Sequence, residues 1–354
     1  MTILCCGGGT MGPVTPLLAV IRQMRKARPD LNVAWAGTDV GPERSVVESE
    51  GIRFFDIPTV KIPRYVSWEW ITWPFAYARA RKRSQRVLDE VRPTLIVSVG
   101  GFTAVPLIRE GAKRGIPCAI HQLDFVAGLA NRAVASACRL VTTSFTYQTS
   151  PFRASSSRVP TPCRFAGNVV PSREAAIQSF GLDPKRPVIF VVGGGTGALA
   201  INRAIQEILD TELRAAQIIH LTGIGKMRLA SGQVISPRFG YVVAEFFNEQ
   251  QMLQAYAAAD VVISRAGMGS ISDLAALSKP TILVPIPQSH QEENAKQFSV
   301  PIVHQTDQFS KKLHTTITAV LKDAGERQAI GTRMHETLAT DDGGALAEKW
   351  LALR

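Results

Sequence analysis

Twice along this 354-residue chain, a short apolar strand runs directly into a glycine-rich turn and then into a helix. The first copy is the strand Thr2 to Cys6, then Gly7-Gly8-Gly9-Thr10-Met11-Gly12, then a helix that Thr15 would cap and Pro16 would begin. The second copy occupies residues 187 to 209. Such a turn lets the backbone approach a ligand at a helix N-terminus. We therefore expect two similar halves, each with its own ligand loop.

Apolar runs of strand length continue through both halves, and helical patterns separate most of them. They lie at 32–36, 95–99, 117–120, 140–143, 217–221, 241–243, 261–263 and 281–284. Strands that alternate with helices predict parallel sheets. The fold expected is therefore α/β, with two Rossmann-like doubly wound domains that face a central cleft. The Ser-, Pro- and Arg-rich run 149–161 places the boundary near 164/165, and the last helix, about 343–354, is expected to pack back on the first domain.

The stretch from Val261 to Ala295 forms a strand–helix–strand unit in which Ser270 is predicted to cap the helix, with Asp273 three positions on. Ligands of open α/β sheets bind at the carboxyl ends of the strands. Hydrogen-bonding side chains are dense at those ends in this unit: Ser264, Arg265, Gln288, His290, Gln291, Glu292 and Asn294. The alternative is an ordinary solvated edge, but this density favours a ligand site.

The net charge of +11 indicates a polyanion, an anionic membrane or a phosphorylated substrate as partner. The five scattered cysteines fit buried free thiols, and neither a disulfide frame nor a zinc site. The start of the chain lacks the layout of a signal peptide, and no apolar run is long enough to span a bilayer. We expect a cytoplasmic protein.

An NAD-binding fold is a weaker alternative. Gly7, Gly9 and Gly12 match the spacing G-x-G-x-x-G, but that fold needs an acidic residue at the end of the second strand to hold the ribose. The second strand here ends in Trp35-Ala36-Gly37.

The stretch Arg64 to Arg86 combines aromatic and basic residues. Aromatic rings favour the headgroup zone of a bilayer and cations attract anionic lipid, so the stretch predicts a membrane-binding surface. Its candidate contacts are Trp68, Trp70, Trp73, Phe75, Arg79 and Lys82. The alternatives are core packing ahead of a basic helix face and, far less favoured, stacking on single-stranded nucleic acid.

Together these motifs resemble the MurG family of GT-B glycosyltransferases, which transfer N-acetylglucosamine from UDP-GlcNAc to lipid I in peptidoglycan synthesis. The resemblance covers most of the chain and rests on the order and spacing of several short motifs. These are Gly8-Gly9-Thr10 with Gly12, Gly100-Gly101-Phe102, His121 with Gly128-Leu129-Ala130-Asn131, Gly167-Asn168, Gly193-Gly194 with Gly197-Ala198, and His290-Gln291 with Asn294-Ala295.

The resemblance implies an inverting transfer without metal or other cofactor, and a donor site in the second half. The backbone at Phe246 and Phe247 would meet the uracil, Asp273 the ribose, and His290 with Gln291 the sugar. The helix after the second glycine loop would face the diphosphate, helped by Arg265 or Arg173. The full donor set is Asn168, Gly193, Gly194, Gly195, Thr196, Gly197, Phe246, Phe247, Arg265, Gly267, Ser270, Asp273, His290, Gln291 and Asn294.

The first half would bind the undecaprenyl-linked acceptor, with the lipid diphosphate at the first glycine loop and the aromatic–basic stretch on the inner face of the plasma membrane. The implied acceptor set is Gly8, Gly9, Thr10, Gly12, Gly100, Gly101, Phe102 and Asn131.

Three positions depart from the family pattern. The histidine proposed as general base is Pro13 here, and a frequent serine of the second loop is Gly195. Where the family has an arginine just after Gly167-Asn168, Pro171 intervenes before Arg173. A proline accepts no proton, so Asp124 is our candidate base and His121 the second. Both could instead orient the loop.

Four alternatives to this function stay open. They are a UDP-sugar transferase for another lipid such as a diacylglycerol, a nucleotide-sugar epimerase, a sugar-nucleotide- or lipid-binding protein that has lost catalysis, and, least favoured, an NAD oxidoreductase. The alternative of a binding protein that has lost catalysis stays open because Pro13 stands where the family has its proposed base.

Overall fold

The computed structural model describes residues 1–9, 11–39, 43–58, 69–195 and 197–353, and for Glu69 and Trp70 only the helical backbone. The chain divides into two compact units. Unit 1 contains Met1–Arg164 together with Asp341–Arg354, and unit 2 contains Phe165–Thr340.

Unit 1 is built on a seven-stranded parallel sheet in the order β3-β2-β1-β4-β5-β6-β7. Its strands are β1 Thr2–Cys6, β2 Asn32–Thr38, β3 Arg53–Ile57, β4 Leu95–Ser98, β5 Cys118–Gln122, β6 Leu140–Thr143 and β7 Ser157–Arg158. Two short strands, β8 Thr161–Pro162 and β14 Thr340–Asp341, pair separately.

Unit 2 is built on a five-stranded parallel sheet in the order β11-β10-β9-β12-β13. Its strands are β9 Val188–Val192, β10 Gln217–Leu221, β11 Tyr241–Ala244, β12 Val261–Ser264 and β13 Thr281–Leu283. Both sheets reverse strand order beside their first strand, which is the doubly wound pattern. The predicted fold class, two parallel-sheet α/β domains, is confirmed.

Helices follow most strands. Those of unit 1 are α1 Val14–Ala27, α2 Glu43–Ser49, α3 Glu69–Val91, α4 Ala104–Lys113, α5 Leu129–Val134 with a 3-10 turn at Ala135–Ala137, and α13 Gly344–Leu351. Those of unit 2 are α6 Arg173–Ser179, α7 Leu199–Ala215, α8 Glu249–Ala258, α9 Met268–Ala276, α10 His290–Lys296, α11 Phe309–Lys322 and α12 Ala324–Thr337.

The central strands are buried along their whole length because helices cover both faces of a doubly wound sheet. All five residues of β9, VIFVV, are buried, as are all four of β4, LIVS. This explains why both strands read as continuous apolar runs. The five cysteines are free, and all but Cys138 are buried, as predicted from their apolar surroundings.

Two predicted helix starts are wrong. Helix α1 begins at Val14 with Pro13 as its N-cap residue, so Thr15 lies inside the helix. Helix α9 begins right after Gly267, and Ser270 is its third residue. Neither cap residue accepts a side-chain hydrogen bond.

The C-terminal helix α13 packs on α1 within unit 1. The fully buried Trp350 lies on this helix. Gly343 precedes the helix with φ +92°, and a Cβ there would lie 2.8 Å from the Val20 amide nitrogen. Only glycine fits this close approach to α1.

Candidate active site

The glycine loop after β9 in unit 2 leads into the longest helix of that unit, α7. Gly193 lies so close to the helix start that a Cβ would be 2.5 Å from the Ala198 nitrogen. Gly197 has φ +69°, and a Cβ there would be 2.2 Å from the Thr222 carbonyl oxygen of the next loop. The N-cap residue Ala198 provides no side-chain cap, and the first turn of α7 carries no acidic residue. The helix N-terminus therefore keeps its positive end available to an anion.

Arg265 links the loops after β12 and β13. Its guanidinium donates to the Val284 and Pro285 carbonyl oxygens at 3.0 and 3.2 Å, and the residue is 8% exposed. Burial lowers the pKa of Arg265 to about 10, which leaves the group charged at neutral pH. Within the described ranges it forms no ion pair with a carboxylate, so its positive charge is not neutralised there.

Amide side chains from α10 fix the same two loops. The buried Asn294 donates to the Ala266 carbonyl oxygen at 3.1 Å, and the Gln291 side-chain oxygen accepts from the Ile286 amide at 3.2 Å. Ser289 caps the helix and also donates to the Ile286 carbonyl oxygen at 2.7 Å. The predicted sugar-binding side chain Gln291 thus lies at a fixed position, beside exposed His290.

The side chains predicted around the nucleoside differ in exposure. Phe246 is 54% exposed, whereas Phe247 is 8% exposed and packs against Phe180 with ring centroids 5.5 Å apart. Asp273 is buried in the second turn of α9, too far from the N-cap residue Gly267 to complete a capping box, so a capping role for Asp273 beside Ser270 is wrong. Asn168 is exposed in the segment before α6.

Arg173 lies at the opposite edge of the unit 2 sheet. Its guanidinium forms a two-point ion pair with Asp260 at 3.1 and 2.6 Å. The same carboxylate accepts from the amide of Val188, the first residue of β9. This is the amino edge, whereas donor loops follow the carboxyl ends. The predicted role of Arg173 at the diphosphate is therefore wrong.

A buried carboxylate lies beneath the first glycine loop of unit 1. Glu43, fully buried at the start of α2, accepts through Oε1 from the Gly9 amide at 3.1 Å and from the Thr38 amide and hydroxyl at 2.7 and 2.5 Å. A Cβ on Gly8 would lie 2.1 Å from that oxygen. The Gly9 amide is committed to Glu43, so a lipid diphosphate would have to use other groups of the loop.

The loop after β4 packs against this glycine loop. A Cβ on Gly101 would lie 3.2 Å from the Gly8 nitrogen, and Gly100 faces Asn131 of α5. Asn131 donates to the Gln122 side-chain oxygen at 2.7 Å, while its own Oδ1 is buried and has no partner in the described part of the chain. An unsatisfied buried acceptor is costly, so this oxygen fits a donor group supplied by a ligand.

The two candidate bases occupy different environments. His121 is fully buried within β5, and its ring nitrogens lie 3.0 and 3.1 Å from the hydroxyl oxygens of Thr142 and Ser144. Desolvation lowers the His121 pKa to about 3. A ring without access to solvent cannot receive the proton of a substrate, so His121 is corrected to a structural residue.

Asp124 follows β5 at the carboxyl edge and is partly exposed. Its backbone carbonyl oxygen accepts from the Gln122 side chain at 2.8 Å and from the Tyr147 hydroxyl at 3.2 Å. Burial, with the Asp124 charge as a smaller cause, raises the Tyr147 pKa to about 12, so the phenol stays protonated as this donor. Asp124 is thus held in place at the edge where ligands of such sheets bind.

Two family descriptions match the chain. "Glycosyltransferase family 28 N-terminal domain" matches residues 3–143 and "Glycosyltransferase family 28 C-terminal domain" matches residues 188–341. The chain belongs to glycosyltransferase family 28. One relative of this family-28 enzyme, from Nocardioides sp., is 34% identical over all of this chain and 98% of its own length. It is named UDP-N-acetylglucosamine--N-acetylmuramyl-(pentapeptide) pyrophosphoryl-undecaprenol N-acetylglucosamine transferase.

Solved structures share the fold of this family-28 glycosyltransferase. MurG of Acinetobacter baumannii superposes with a TM-score of 0.73 at 21% identity, over 99% of both chains. A structure from Listeria monocytogenes titled as a UDP-N-acetylglucosamine 2-epimerase gives 0.63 at 10% identity, over 98% of this chain and 94% of its own. At these identities the likeness shows the GT-B fold alone.

Sequence reasoning missed two charged residues of this glycosyltransferase. Glu43 carried no signal, because it contacts the glycine loop from another helix. Lys226 lies in a further glycine-containing turn, Thr222 to Lys226, directly after β10, and that position could have revealed it. Its ammonium donates to the Gly197 carbonyl oxygen at 3.3 Å.

Some predicted site residues lie outside the described residues: Thr10, Thr196, Trp68 and the side chain of Trp70. Among the residues that the structure describes, no three His, Cys, Asp or Glu side chains form a cluster that could bind a metal ion. The remaining predicted ligand contacts, including Gly12 and Phe102, stay predictions.

Proposed function

We propose that this glycosyltransferase transfers N-acetylglucosamine from UDP-GlcNAc to the undecaprenyl-diphosphate-linked MurNAc-pentapeptide, with inversion and without a metal ion. The single observation that carries the proposal is the 34% identity, along the whole chain, to a relative named for that reaction. The acceptor oxygen bonds to C1 of the sugar, the bond from C1 to the β-phosphate oxygen breaks, and UDP leaves with the electron pair.

The carboxyl edge of unit 2 supports the donor part of the proposal. The uncapped N-terminus of α7 supplies amides and a positive dipole end for the diphosphate. Arg265 adds a fixed positive charge at the loops after β12 and β13. Such preorganised groups stabilise a leaving anion without a metal.

Asp124 is the proposed general base for the acceptor hydroxyl, since Pro13 cannot accept its proton. The side chain stands on a fixed backbone at the carboxyl edge of unit 1. The unpartnered Oδ1 of Asn131 supports acceptor binding at the same edge, because sugar hydroxyls and peptide amides are hydrogen-bond donors.

Helix α3 is the proposed contact with an anionic membrane at the cytoplasmic face. Ile71 and Phe75 are 60% and 77% exposed on this helix. Arg79, Lys82 and Arg86 are exposed as well, and none of the three forms an ion pair within the described residues. Trp73 stacks on Tyr77 with centroids 5.3 Å apart. No helix in the described ranges has the length and hydropathy needed to cross a bilayer.

A second basic surface adjoins α3. A cavity of about 520 Å³ lies between α3 and α4 and is lined by Tyr77, Arg81, Arg109, Glu110 and Lys113 among others. Arg81 and Lys113 both pair with Glu110, and Arg109 forms no ion pair among the described residues, so the net positive charge there favours an anionic headgroup.

The transfer is tested with purified protein, radiolabelled UDP-GlcNAc or UDP-galactose, and either a short-chain lipid I analogue or a diacylglycerol. The proposal expects label only in the lipid I analogue and only from UDP-GlcNAc. Label in diacylglycerol would favour the other lipid transferase. Conversion of UDP-GlcNAc into its UDP-linked epimer, without an acceptor, would favour the epimerase.

Membrane contact is tested by sedimentation with vesicles that contain phosphatidylglycerol. Replacing Ile71 and Phe75 by Ser should weaken binding at least tenfold, because burial of a large apolar side chain contributes roughly 1.5–3 kcal/mol and about 1.4 kcal/mol is tenfold in affinity. The matched control is Phe239→Ser, an exposed ring in unit 2 that is 90% accessible. Equal binding of both variants would contradict the assignment of α3.

A further inference from the structure

The leaving UDP carries several negative charges, and the arginine that the family resemblance implies just after Gly167-Asn168 is displaced here, with Pro171 standing before Arg173. Arg173 does not replace it, because the ion pair with Asp260 holds it at the amino edge of the sheet. Arg265 supplies one positive charge at the carboxyl edge, at the loops after β12 and β13, which leaves room for a second cation beside the glycine loop that precedes α7.

Lys226 brings an ammonium group to the glycine loop itself. Its Nζ donates to the Gly197 carbonyl oxygen at 3.3 Å, one residue before the N-cap of α7. The close approach of Gly197 to Thr222 keeps the two loops together, since even a methyl group would not fit between them. The ammonium thus lies beside the loop that faces the diphosphate.

A chain of buried side chains fixes the backbone of Lys226. The Asn202 side chain donates to the Thr222 and Lys226 carbonyl oxygens at 3.0 and 3.3 Å. Its Oδ1 lies 3.0 Å from Nε2 of His220, whose Nδ1 lies 2.8 Å from the Tyr241 hydroxyl. Because an amide oxygen only accepts, Nε2 carries the proton and Nδ1 accepts from Tyr241.

This buried chain holds one arrangement over a wide pH range. Desolvation lowers the His220 pKa to about 3, so the ring stays neutral. The Lys226 amide also donates to the Gly223 carbonyl oxygen at 3.0 Å, which closes the turn. These hydrogen bonds fix the backbone of Lys226, so the ammonium group is not positioned by its flexible side chain alone.

The Lys226 charge is not neutralised by a carboxylate among the described residues. The nearest acidic contact of its turn is Glu245, which accepts from the Gly225 amide at 2.8 Å. Arg228, two residues further on, instead donates to the Gly232 carbonyl oxygen of its own loop at 3.1 Å. Only Lys226 of these two cations contacts the glycine loop.

We infer that Lys226 binds the diphosphate of the nucleotide-sugar donor and neutralises the charge that develops on the leaving nucleoside diphosphate. The inference rests on the proposed function, because it assumes a nucleotide sugar at this edge. Lys226 keeps its proton throughout: it contacts phosphate oxygens while the bond from C1 to the β-phosphate oxygen breaks.

Calorimetry with uridine, UMP and UDP separates a phosphate contact from a structural role. Lys226→Met should bind UDP roughly tenfold to a hundredfold more weakly, as expected for loss of a charged hydrogen bond, and uridine with unchanged affinity. Lys226→Arg should recover most of the loss, and Arg228→Met should bind all three ligands like the wild type.

Each other outcome is decisive. Unchanged UDP affinity in Lys226→Met, or an equal loss for uridine and UDP, overturns the inference, because the residue then contributes nothing or only shapes the loop. A wild-type protein that binds neither uridine nor UDP overturns the proposed function first, and the inference with it.

Discussion

Asp124 is the residue on which the proposed chemistry depends most, because its carboxylate is the proposed general base. Its backbone is held by Gln122 and Tyr147, so a substitution of the side chain alone should leave the loop in place. Asp124→Asn should lower kcat by roughly 10²–10⁴, the usual contribution of a general base. The Kd for UDP-GlcNAc should stay unchanged.

The matched control is Asp30→Asn, an exposed aspartate of the same unit, which should keep full activity in the same steady-state assay. A wild-type kcat in Asp124→Asn would remove Asp124 from the reaction.

Two buried histidines, His121 and His220, should make the stability of the protein depend on pH. The folded pKa values of His121 and His220 are about 3, below the ordinary 6.5, because burial disfavours their charged forms. The unfolded chain therefore takes up protons first, and stability should fall as pH decreases from 6.5 towards 3, with no effect of these groups above 6.5.

Thermal unfolding between pH 7.5 and pH 5 measures this dependence. His121→Asn should flatten the decline in Tm, and the control His304→Asn, an exposed histidine, should not. Identical slopes in wild type and His121→Asn would show that the ring is not held neutral.

Residue roles were predictable where they depend on local sequence and not where they depend on distant partners. The polar residues that follow β12 and those of α10 could be identified as site candidates from the sequence, because they are close together along the chain. Arg173 could not, since its partner Asp260 is 87 residues away. Glu43 beneath Gly9 is a similar case, 34 residues apart.

The short helix α10 carries the predicted sugar contact, and its N-cap residue also contributes to the stability of unit 2. Ser289 accepts from the Gln291 amide at 3.3 Å and so fixes the first turn that carries the predicted sugar contact. Ser289→Ala should lower the free energy of unfolding by about 1 kcal/mol and raise KM for UDP-GlcNAc.

Ser172→Ala is the control for this prediction. Ser172 caps α6, also seven residues long and in the same unit, by accepting from the Ala175 amide at 3.2 Å. Ser172→Ala should lower the free energy of unfolding by a similar amount and leave KM for UDP-GlcNAc unchanged. If both variants change KM equally, the cap of α10 has no specific role in sugar binding.

Element positions followed from apolar runs, but helix starts did not. Thr15 and Ser270 have the chemistry of cap residues, yet α1 and α9 begin before them, and both helices follow glycine turns that are predicted to face ligands. At such turns the first helical amides are left without side-chain caps, so the usual cap preference does not identify the start.

At the scale of the whole molecule, the C-terminal helix completes the first unit. Trp350 is a fully buried residue of α13, and this helix packs on α1. Trp350→Ala should destabilise unit 1 by roughly 3–5 kcal/mol. Calorimetry should show a lower melting temperature for that unit, while UDP affinity, a property assigned to unit 2, should be retained.

A loss of UDP affinity equal to that of a donor-site variant would contradict the separate roles of the units. Tyr256→Ala, which removes a fully buried ring from unit 2, serves as the reciprocal control.

The two-sheet architecture was predictable because each strand–turn–helix unit is local in sequence and parallel strands need such crossovers. The strand order β3-β2-β1-β4 was not predicted, since periodicity does not specify which strands are neighbours. The pairing of β8 with β14 joins segments far apart in the chain and had no sequence signal.

The most direct test of the account is the anomeric configuration of the product that EDTA-treated enzyme forms from UDP-GlcNAc and a lipid I analogue. Proton NMR of the purified disaccharide lipid should show a β-linked N-acetylglucosamine, formed at the same rate with and without EDTA. An α-linked product, or activity that EDTA abolishes and Mg²⁺ restores, would contradict an inverting, metal-independent transferase.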